Sequence, residues 1–118
     1  MSRNTDMIEK PIEISPEEIR AVADQIARKF NPQRIILFGS YARGNSHPSS
    51  DVDLLVILEE NANELDIEIK VILSVAHKFP MDILVRSPRE IEKRLQMGDP
   101  FIRGIIEQGV VLYERPGE

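Results

Sequence analysis

The sequence contains no cysteine and no tryptophan, and it has only four Phe and two Tyr among 118 residues. Without cysteine, neither a disulfide framework nor a zinc site built from thiolates can form. No apolar run reaches the length that crosses a bilayer, and the N-terminal MSRNTDMIEKPIEIS lacks the apolar core of a signal peptide. We therefore expect a cytoplasmic protein that does not interact with a membrane.

The charge balance also lacks a basic excess. Twenty acidic and 15 basic residues give a formal net charge of −5. Binding to nucleic acid needs a positive surface that displaces counterions, so direct nucleic-acid binding is not expected, although a local basic pocket for a nucleotide is compatible with this charge. The length and the hydrophobic content of 42% are sufficient for one domain with its own core.

Helix and strand signals begin at Ser15. Residues 1–14 are mixed and polar and predict a flexible N-terminal arm, whereas residues 15–118 predict a single folded domain. Ser15-Pro16-Glu17-Glu18 combines an N-cap serine, a proline at the first helical position and a glutamate three residues after the cap. Apolar residues then follow at helical spacing, so we predict a helix from about Pro16 to Phe30.

The remainder of the domain alternates short apolar runs with longer amphipathic segments. Strands are predicted over 34–38, 51–58, 80–86 and 110–113, a single helical turn over 40–43, and helices over 61–79, from Ser87-Pro88 to about Gly98, and from Asp99-Pro100 to before Gly109. This order predicts an α+β fold in which a small mixed β-sheet has helices packed on one face.

The segment 61–79 fits two patterns. Its apolar residues alternate like those of a strand, but Leu65, Ile69 and Leu73 also fall on one helix face together with Ile72 and Ala76. The length of the segment favours the helix, and Asn61 with Glu64 resembles a cap pair.

Two aspartates stand one residue apart at the start of the second strand. Asp51 and Asp53 point to the same face of the strand, with Cα atoms about 6–7 Å apart, whereas Val52 and Leu54 point to the opposite face. The third strand divides in the same way, because Asp82 lies on the face opposite its apolar neighbours. The sequence therefore predicts an acidic side and an apolar side on both strands.

The topology is expected to gather these aspartates. The second and third strands are joined by a long helical connection, so they should run parallel, with Asp51, Asp53 and Asp82 at the same edge of the sheet. If the first strand runs antiparallel to the second, its end at Gly39-Ser40 reaches that edge as well. The order of the strands is not fixed by this argument.

The predicted cluster suits phosphate chemistry. Three carboxylates repel one another unless a cation or a proton lies among them, and oxygen ligands suit Mg²⁺ or Mn²⁺. Two such ions are the usual machinery for attack on a phosphate. A glycine turn lets phosphate oxygens approach the backbone, and N–H groups at the start of a helical turn attract anions. The residues thus predict metal ions and a nucleoside triphosphate in one site. Arg43 either reaches a phosphate or lies in solvent.

Three other side chains receive no catalytic role. Arg86 shares the face of Asp82 but lies four residues along the strand, so a salt bridge is the better interpretation. Tyr41 and Tyr113 offer hydroxyl groups for self-modification, but burial or hydrogen bonding is the expected state of such residues.

The string GSYARG…SDVDLLV, followed by a lone aspartate in an apolar strand, resembles the minimal nucleotidyltransferase (MNT) family of the DNA polymerase β-like nucleotidyltransferase superfamily. The resemblance covers Ile35 to Val85, and the later FIRGIIEQGVVLYE is similar to the end of that family's sequences. It implies that Asp51 and Asp53 bind two Mg²⁺ ions and that Asp82 ligates the catalytic ion and helps to activate the acceptor hydroxyl.

The same resemblance implies a nucleotide and a partner. Gly39 and Ser40 would hold the β- and γ-phosphates of ATP. Members of this family often act as antitoxins beside a HEPN-domain ribonuclease toxin, and some transfer AMP from ATP to a tyrosine of that toxin, which implies a hetero-oligomer. The competing hypothesis is a non-enzymatic antitoxin that neutralises its partner by occlusion. Transfer to a small molecule or to RNA is a third reading, disfavoured by the acidic balance and by the lack of a second domain in the sequence.

Overall fold

The structure is a computed structural model that describes residues 14–46, 50–59 and 64–117. Within these ranges the elements are, in chain order, α1 (Pro16–Phe30), β1 (Arg34–Phe38), α2 (Ser40–Arg43), β2 (Val52–Ile57), α3 (Glu64–Ser74), β3 (Met81–Arg86), α4 (Pro88–Gln96), α5 (Pro100–Gln108) and β4 (Val110–Glu114). The predicted arm, apart from Ile14, and the predicted cap residue Asn61 lie outside the described residues.

The helix ends follow the capping signals in the sequence. The Ser15 side chain accepts a hydrogen bond of 3.1 Å from the Glu18 backbone N–H, and the Glu18 side chain completes the capping box. Ser87 caps α4 in the same way through the Glu90 N–H at 3.0 Å. The carboxylate of Asp99 accepts from the first backbone N–H groups of α5. These predicted helix starts are confirmed.

The four strands form one mixed sheet in the order β3-β2-β1-β4. β2 and β3 run parallel, whereas β1 runs antiparallel to both β2 and β4. The parallel relation that the connection predicted is therefore confirmed, and β1 has the antiparallel direction that brings its end at Gly39 to the same edge. The strand order, which the sequence left open, places the latest strand beside the earliest one and leaves β3 and β4 at the two edges.

One face of the sheet carries the larger core. Helices α1 and α3 cover this face, and the buried side chains form one continuous cluster with alternate residues of the strands. The cluster contains Ile19, Val22, Ala23, Ile26, Ile35, Leu37, Val52, Leu54, Val56, Leu58, Ile67, Val71, Val75, Phe79, Ile83 and Val85. Ile14, Tyr41 and Tyr113 are half-buried against it, as expected for the two tyrosines.

The opposite face is also covered by helices, which corrects the prediction of helices on one face. A second cluster joins α4 and α5 to β1 and β2 through Ile36, Leu55, Ile57, Ile91, Ile102 and Ile105. Leu55 and Ile57 share the side of Asp53 in the strand but are almost fully buried. Strands with two apolar faces need cover on both. The α+β class with a mixed sheet is confirmed.

Among the described residues, no helix combines the length and the apolar character that crossing a membrane requires.

Candidate active site

The register of the sheet brings two of the predicted site residues side by side. Asp53 stands opposite Asp82 in the parallel pair β2–β3, and opposite Phe38 in the antiparallel pair β1–β2. Adjacent strands lie about 4.8 Å apart, so the two carboxylates rise from neighbouring positions at one edge of the sheet. The residue after Phe38 is Gly39, which reaches the same place from the other side. Two of the three predicted aspartates and the glycine therefore lie at the same edge, as the predicted strand directions require.

Gly39 lies directly against the Asp53 carboxylate. Its backbone has φ 81°, a conformation that L side chains rarely adopt, and a Cβ atom added to it would collide with Oδ2 of Asp53. The sequence assigned this glycine to the approach of a phosphate. The structure adds a second reason, because the space that a side chain would need is taken by a carboxylate of the site.

The turn after Gly39 is a single helical turn, as predicted. The N–H groups of Ala42 and Arg43 each donate to the Gly39 carbonyl oxygen at 3.1 Å, and Gly44, with φ 77°, ends the turn. Ser40 is half-buried at the start of this turn, whereas Arg43 is exposed. The turn therefore places a serine beside the glycine and an arginine side chain in solvent near the carboxylates.

The pKa of Asp53 is raised above its ordinary value of 3.8. Partial burial of the carboxyl group is the largest cause, followed by the negative charges of Asp82 and Asp51, while the charge of Arg43 acts in the opposite direction. Both neighbouring aspartates are therefore close enough to disfavour the charged form of Asp53. The concentration of negative charge favours a cation at this edge.

The donor set suits a divalent cation, although it is not gathered into a finished cage. Among the residues that the structure describes, no three acidic or histidine side chains surround a common point. Asp51 and Asp82 are exposed and Asp53 is half-buried, so their oxygens remain accessible to an ion. Carboxylate oxygens are the ligands that Mg²⁺ and Mn²⁺ prefer, and an ion would relieve the repulsion from Asp82 and Asp51 that, after burial, raises the pKa of Asp53.

Arg86, which shares the strand face of Asp82, pairs with a residue outside the candidate site. The Arg86 guanidinium forms an ion pair with Glu68 of α3 at 2.9 Å, and the same carboxylate accepts from the Val85 N–H at 2.9 Å. The prediction of a salt bridge for Arg86 is thus confirmed.

A cleft beside the carboxylate edge was not found by the sequence reasoning. It has a volume of about 330 Å³ and lies between the turn that follows β1 and helix α5. Phe38, Arg43, Phe101, Gly104 and Gln108 contribute to its walls. Its signals in the sequence were a glycine inside a predicted helix and a phenylalanine three residues before it, but neither feature identifies a cleft without the strand order.

Comparison with known proteins gives one consistent result. The sequence model of the nucleotidyltransferase domain family matches residues 19–113. A relative from Methanocaldococcus jannaschii, named a putative protein adenylyltransferase, is 32% identical over 81 residues, which are 69% of this chain and 78% of the relative. A second protein of that name from the same organism is 33% identical over 87 residues, or 69% of this chain, and this chain spans 58% of that relative's length.

A solved structure supports the architecture. The crystal structure of a putative nucleotidyltransferase from Sulfolobus solfataricus superposes with a TM-score of 0.61 over 86% of this chain and 81% of that protein. Its sequence identity of 19% restricts the likeness to the fold.

Proposed function

The chain belongs to the nucleotidyltransferase domain family, and we propose that it transfers AMP from ATP to a hydroxyl group of a partner protein. The observation that carries this proposal is the register that sets Asp53 opposite Asp82, with Gly39 against the Asp53 carboxylate. Relatives named putative protein adenylyltransferases support both the nucleotide and the class of acceptor.

We propose a role for each site residue, which the resemblance to the MNT family implies and the arrangement supports. Asp51, Asp53 and Asp82 would hold two Mg²⁺ ions, with Mn²⁺ as a substitute. Gly39 and Ser40, at the start of the helical turn, would hold the β- and γ-phosphates. Arg43, whose charge acts on Asp53, would bind a phosphate from the same turn.

The reaction is a substitution at the α-phosphorus of ATP. The acceptor oxygen forms a bond to this phosphorus, the bond between the α-phosphorus and the bridging oxygen breaks, and pyrophosphate leaves. We propose that Asp82 accepts the hydroxyl proton or orients the hydroxyl; its exposure and its position opposite Asp53 support this role. Bound metal ions would supply charge stabilisation for the attacking and leaving oxygens. The chain itself contributes alignment, through the turn on one side of Asp53 and β3 on the other.

The partner is the finer part of the proposal. We propose that the acceptor is a tyrosine of a HEPN-domain ribonuclease toxin, and that this chain is the antitoxin in a hetero-oligomer with it. Two observations support it. The motif string resembles the MNT family, and the relatives are named putative protein adenylyltransferases, a name that specifies a protein as the acceptor.

Labelling with ATP that carries ³²P at the α-phosphate tests the chemistry. Wild type is expected to label its partner in the presence of Mg²⁺, and Asp53→Asn is expected to lose at least about 99% of that rate, since positioned charge in such sites contributes about 100-fold or more. Asp24→Asn, an exposed aspartate on α1, is the matched control and should label normally. Undiminished labelling by Asp53→Asn would remove the mechanism.

A second candidate, neutralisation of the partner by occlusion, is favoured by one observation: the described carboxylates are not gathered into a finished metal cage. The partner should then be protected without modification. Mass spectrometry of the partner, expressed with wild type or with the Asp51→Asn and Asp53→Asn double variant, separates the two candidates. A gain of one or more AMP units only with wild type supports transfer. Protection by both forms without a mass change supports occlusion.

A further inference from the structure

We infer that the cleft between the turn after β1 and helix α5 binds the nucleoside end of the triphosphate substrate. This inference rests on the proposed function and extends it to residues that neither the motif string nor the carboxylate cluster includes. The cleft has a volume of about 330 Å³, at the lower end of the range of about 300–1,000 Å³ for small-molecule sites. This volume suits one nucleoside better than a folded acceptor.

The cleft is continuous with the carboxylate edge. Gly39 lines the cleft and also contacts the Asp53 carboxylate, so a single backbone position joins the two. Arg43 lines the cleft too, and its charge acts on Asp53. A ligand with phosphates at Gly39 and Arg43 therefore has its remaining, less polar part directed into the cleft or into solvent.

Aromatic side chains form one wall. The rings of Phe38 and Phe101 meet edge to face, with centroids 5.8 Å apart and planes at 85°. Phe101 remains 54% exposed even though it stands beside this partner. An exposed phenylalanine at the mouth of a cleft offers a π-surface on which a nucleobase can stack, and such stacking contributes about 1–3 kcal/mol per base.

The second observation concerns Gly104 of helix α5, a lining position of the cleft that has no side chain. Gly104 is the central residue of α5, where glycine is about 0.5–1 kcal/mol less favourable than alanine. A Cβ atom there would meet nothing within 4 Å, so no neighbour in the described chain requires a glycine. Gly109, which also lines the cleft, is different, because a Cβ atom there would collide with the Ile105 carbonyl oxygen and the Ile36 side chain. Packing explains the second glycine, whereas open space in the cleft explains the first.

Helix α5 presents the lining residues along one face. Phe101, Gly104 and Gln108 follow at spacings of three and four, which covers about 10 Å of helix and is comparable with the length of a nucleoside. The Gln108 amide can both donate and accept hydrogen bonds, as recognition of the polar edge of a base requires. The Phe101 ring, the open space beside Gly104 and the Gln108 amide therefore lie together on the helix that faces the turn.

Isothermal titration with α,β-methylene ATP, which cannot release pyrophosphate, tests the inference in the presence of Mg²⁺. Gly104→Leu should fill the cleft and weaken binding of this analogue at least about tenfold. Glu107→Leu is the matched control, since Glu107 is exposed on the same helix outside the cleft, and it should stay within about twofold. Inorganic tripolyphosphate, which lacks the nucleoside, should bind all three proteins equally.

Phe101→Ala provides an independent arm if the leucine variant does not fold. The ring is more than half exposed, so its removal leaves the core intact, and loss of stacking should weaken the analogue about fivefold or more without affecting tripolyphosphate. Unchanged analogue binding in a folded Gly104→Leu protein and in Phe101→Ala would overturn the subsite while leaving the transfer chemistry intact. A wild type that binds neither the analogue nor tripolyphosphate would overturn the proposed function and the subsite together.

Discussion

The two faces of the sheet differ in the size of the hydrophobic cluster that covers each of them. Among the described residues, sixteen form one buried cluster on the face covered by α1 and α3, whereas six form the cluster on the face covered by α4 and α5. The smaller cluster leaves room on its own side for the Asp53 carboxylate at the edge of the sheet and for the cleft beside α5. The larger core supplies stability, and the thinner side holds the groups that are costly to pack.

The pleat of β2 makes this division possible within three residues. Leu54 is fully buried in the larger core, while its neighbour Asp53 is half-buried at the acidic edge and Leu55 is fully buried in the smaller cluster. Successive side chains of a strand point to opposite faces, so a charged group and a core group can be adjacent in sequence without sharing an environment. Substitutions on the two sides should therefore have different consequences.

The largest effect on stability is expected from Leu54→Ala. Truncation of a fully buried leucine removes hydrophobic burial and leaves a cavity, which should lower the free energy of unfolding by about 2–5 kcal/mol. Leu65→Ala is the control, because this side chain is 62% exposed, and it should change stability by less than about 0.5 kcal/mol. Urea denaturation measures both. Equal losses in the two variants would show that the division between core and surface is misassigned.

Gly39→Ala should come next and should affect both stability and the site. Its alanine needs a positive φ and meets the Asp53 carboxylate, so we expect a loss of about 2–3 kcal/mol and weaker binding of α,β-methylene ATP. Gly44→Ala shares the positive φ, but no atom of the described residues lies within 4 Å of the added atom, and it should lose about 1 kcal/mol with binding retained. Urea denaturation and calorimetric titration separate the contact with Asp53 from the backbone strain. Identical behaviour of the two variants would contradict that contact.

Local signals in the sequence were sufficient for the elements and for part of the site. Ser15, Ser87 and Asp99 each fixed a helix start through a side-chain cap, which depends only on residues nearby. The parallel direction of β2 and β3, which brings Asp53 and Asp82 to the same end of the sheet, also followed from the sequence, because a long helical connection between two strands implies that they run parallel. The register that sets Asp53 opposite Asp82 did not follow from it.

Tertiary context decided what the sequence could not. In α3 the face that carries Leu65, Ile69 and Leu73 is largely exposed, whereas Ile67 and Val71 of the same helix are buried. Both sets have helical spacing, so periodicity alone did not choose between them. The cover on the second face and the cleft depend likewise on where α4 and α5 fold back against the sheet, and no local pattern determines that position.

A smaller effect, of opposite sign, is expected from Gly104→Ala. The added methyl group meets no atom of the described part of the chain within 4 Å and alanine favours the helix, so the free energy of unfolding should rise by about 0.5–1 kcal/mol. Gly109→Ala should lower it, since the same atom would collide with Ile36 and with backbone. Thermal unfolding of the two variants gives the comparison. A destabilised Gly104→Ala protein would mean that the cleft is closed in solution.

The smallest effect should be the pH dependence that Asp53 gives to the metal-free protein. Its pKa in the folded state is raised above the ordinary 3.8, through burial first and then through Asp82 and Asp51, so the folded state binds this proton more tightly than the unfolded state does. Stability attributable to Asp53 is therefore lost as pH rises from about the unfolded pKa through the raised folded value, and the penalty is constant above it. Asp53→Asn removes this dependence, so the stability of wild type relative to the variant should fall across that interval and then level off.

Urea denaturation in the presence of a chelator, repeated at several pH values, measures the difference. The effect should be modest because water screens a carboxylate that is only half-buried. Mg²⁺ added above the interval should stabilise wild type and not Asp53→Asn. If the stability of wild type relative to Asp53→Asn rose with pH instead, Asp53 would lie in a favourable electrostatic environment. That outcome would argue against the crowding of acids on which the site depends.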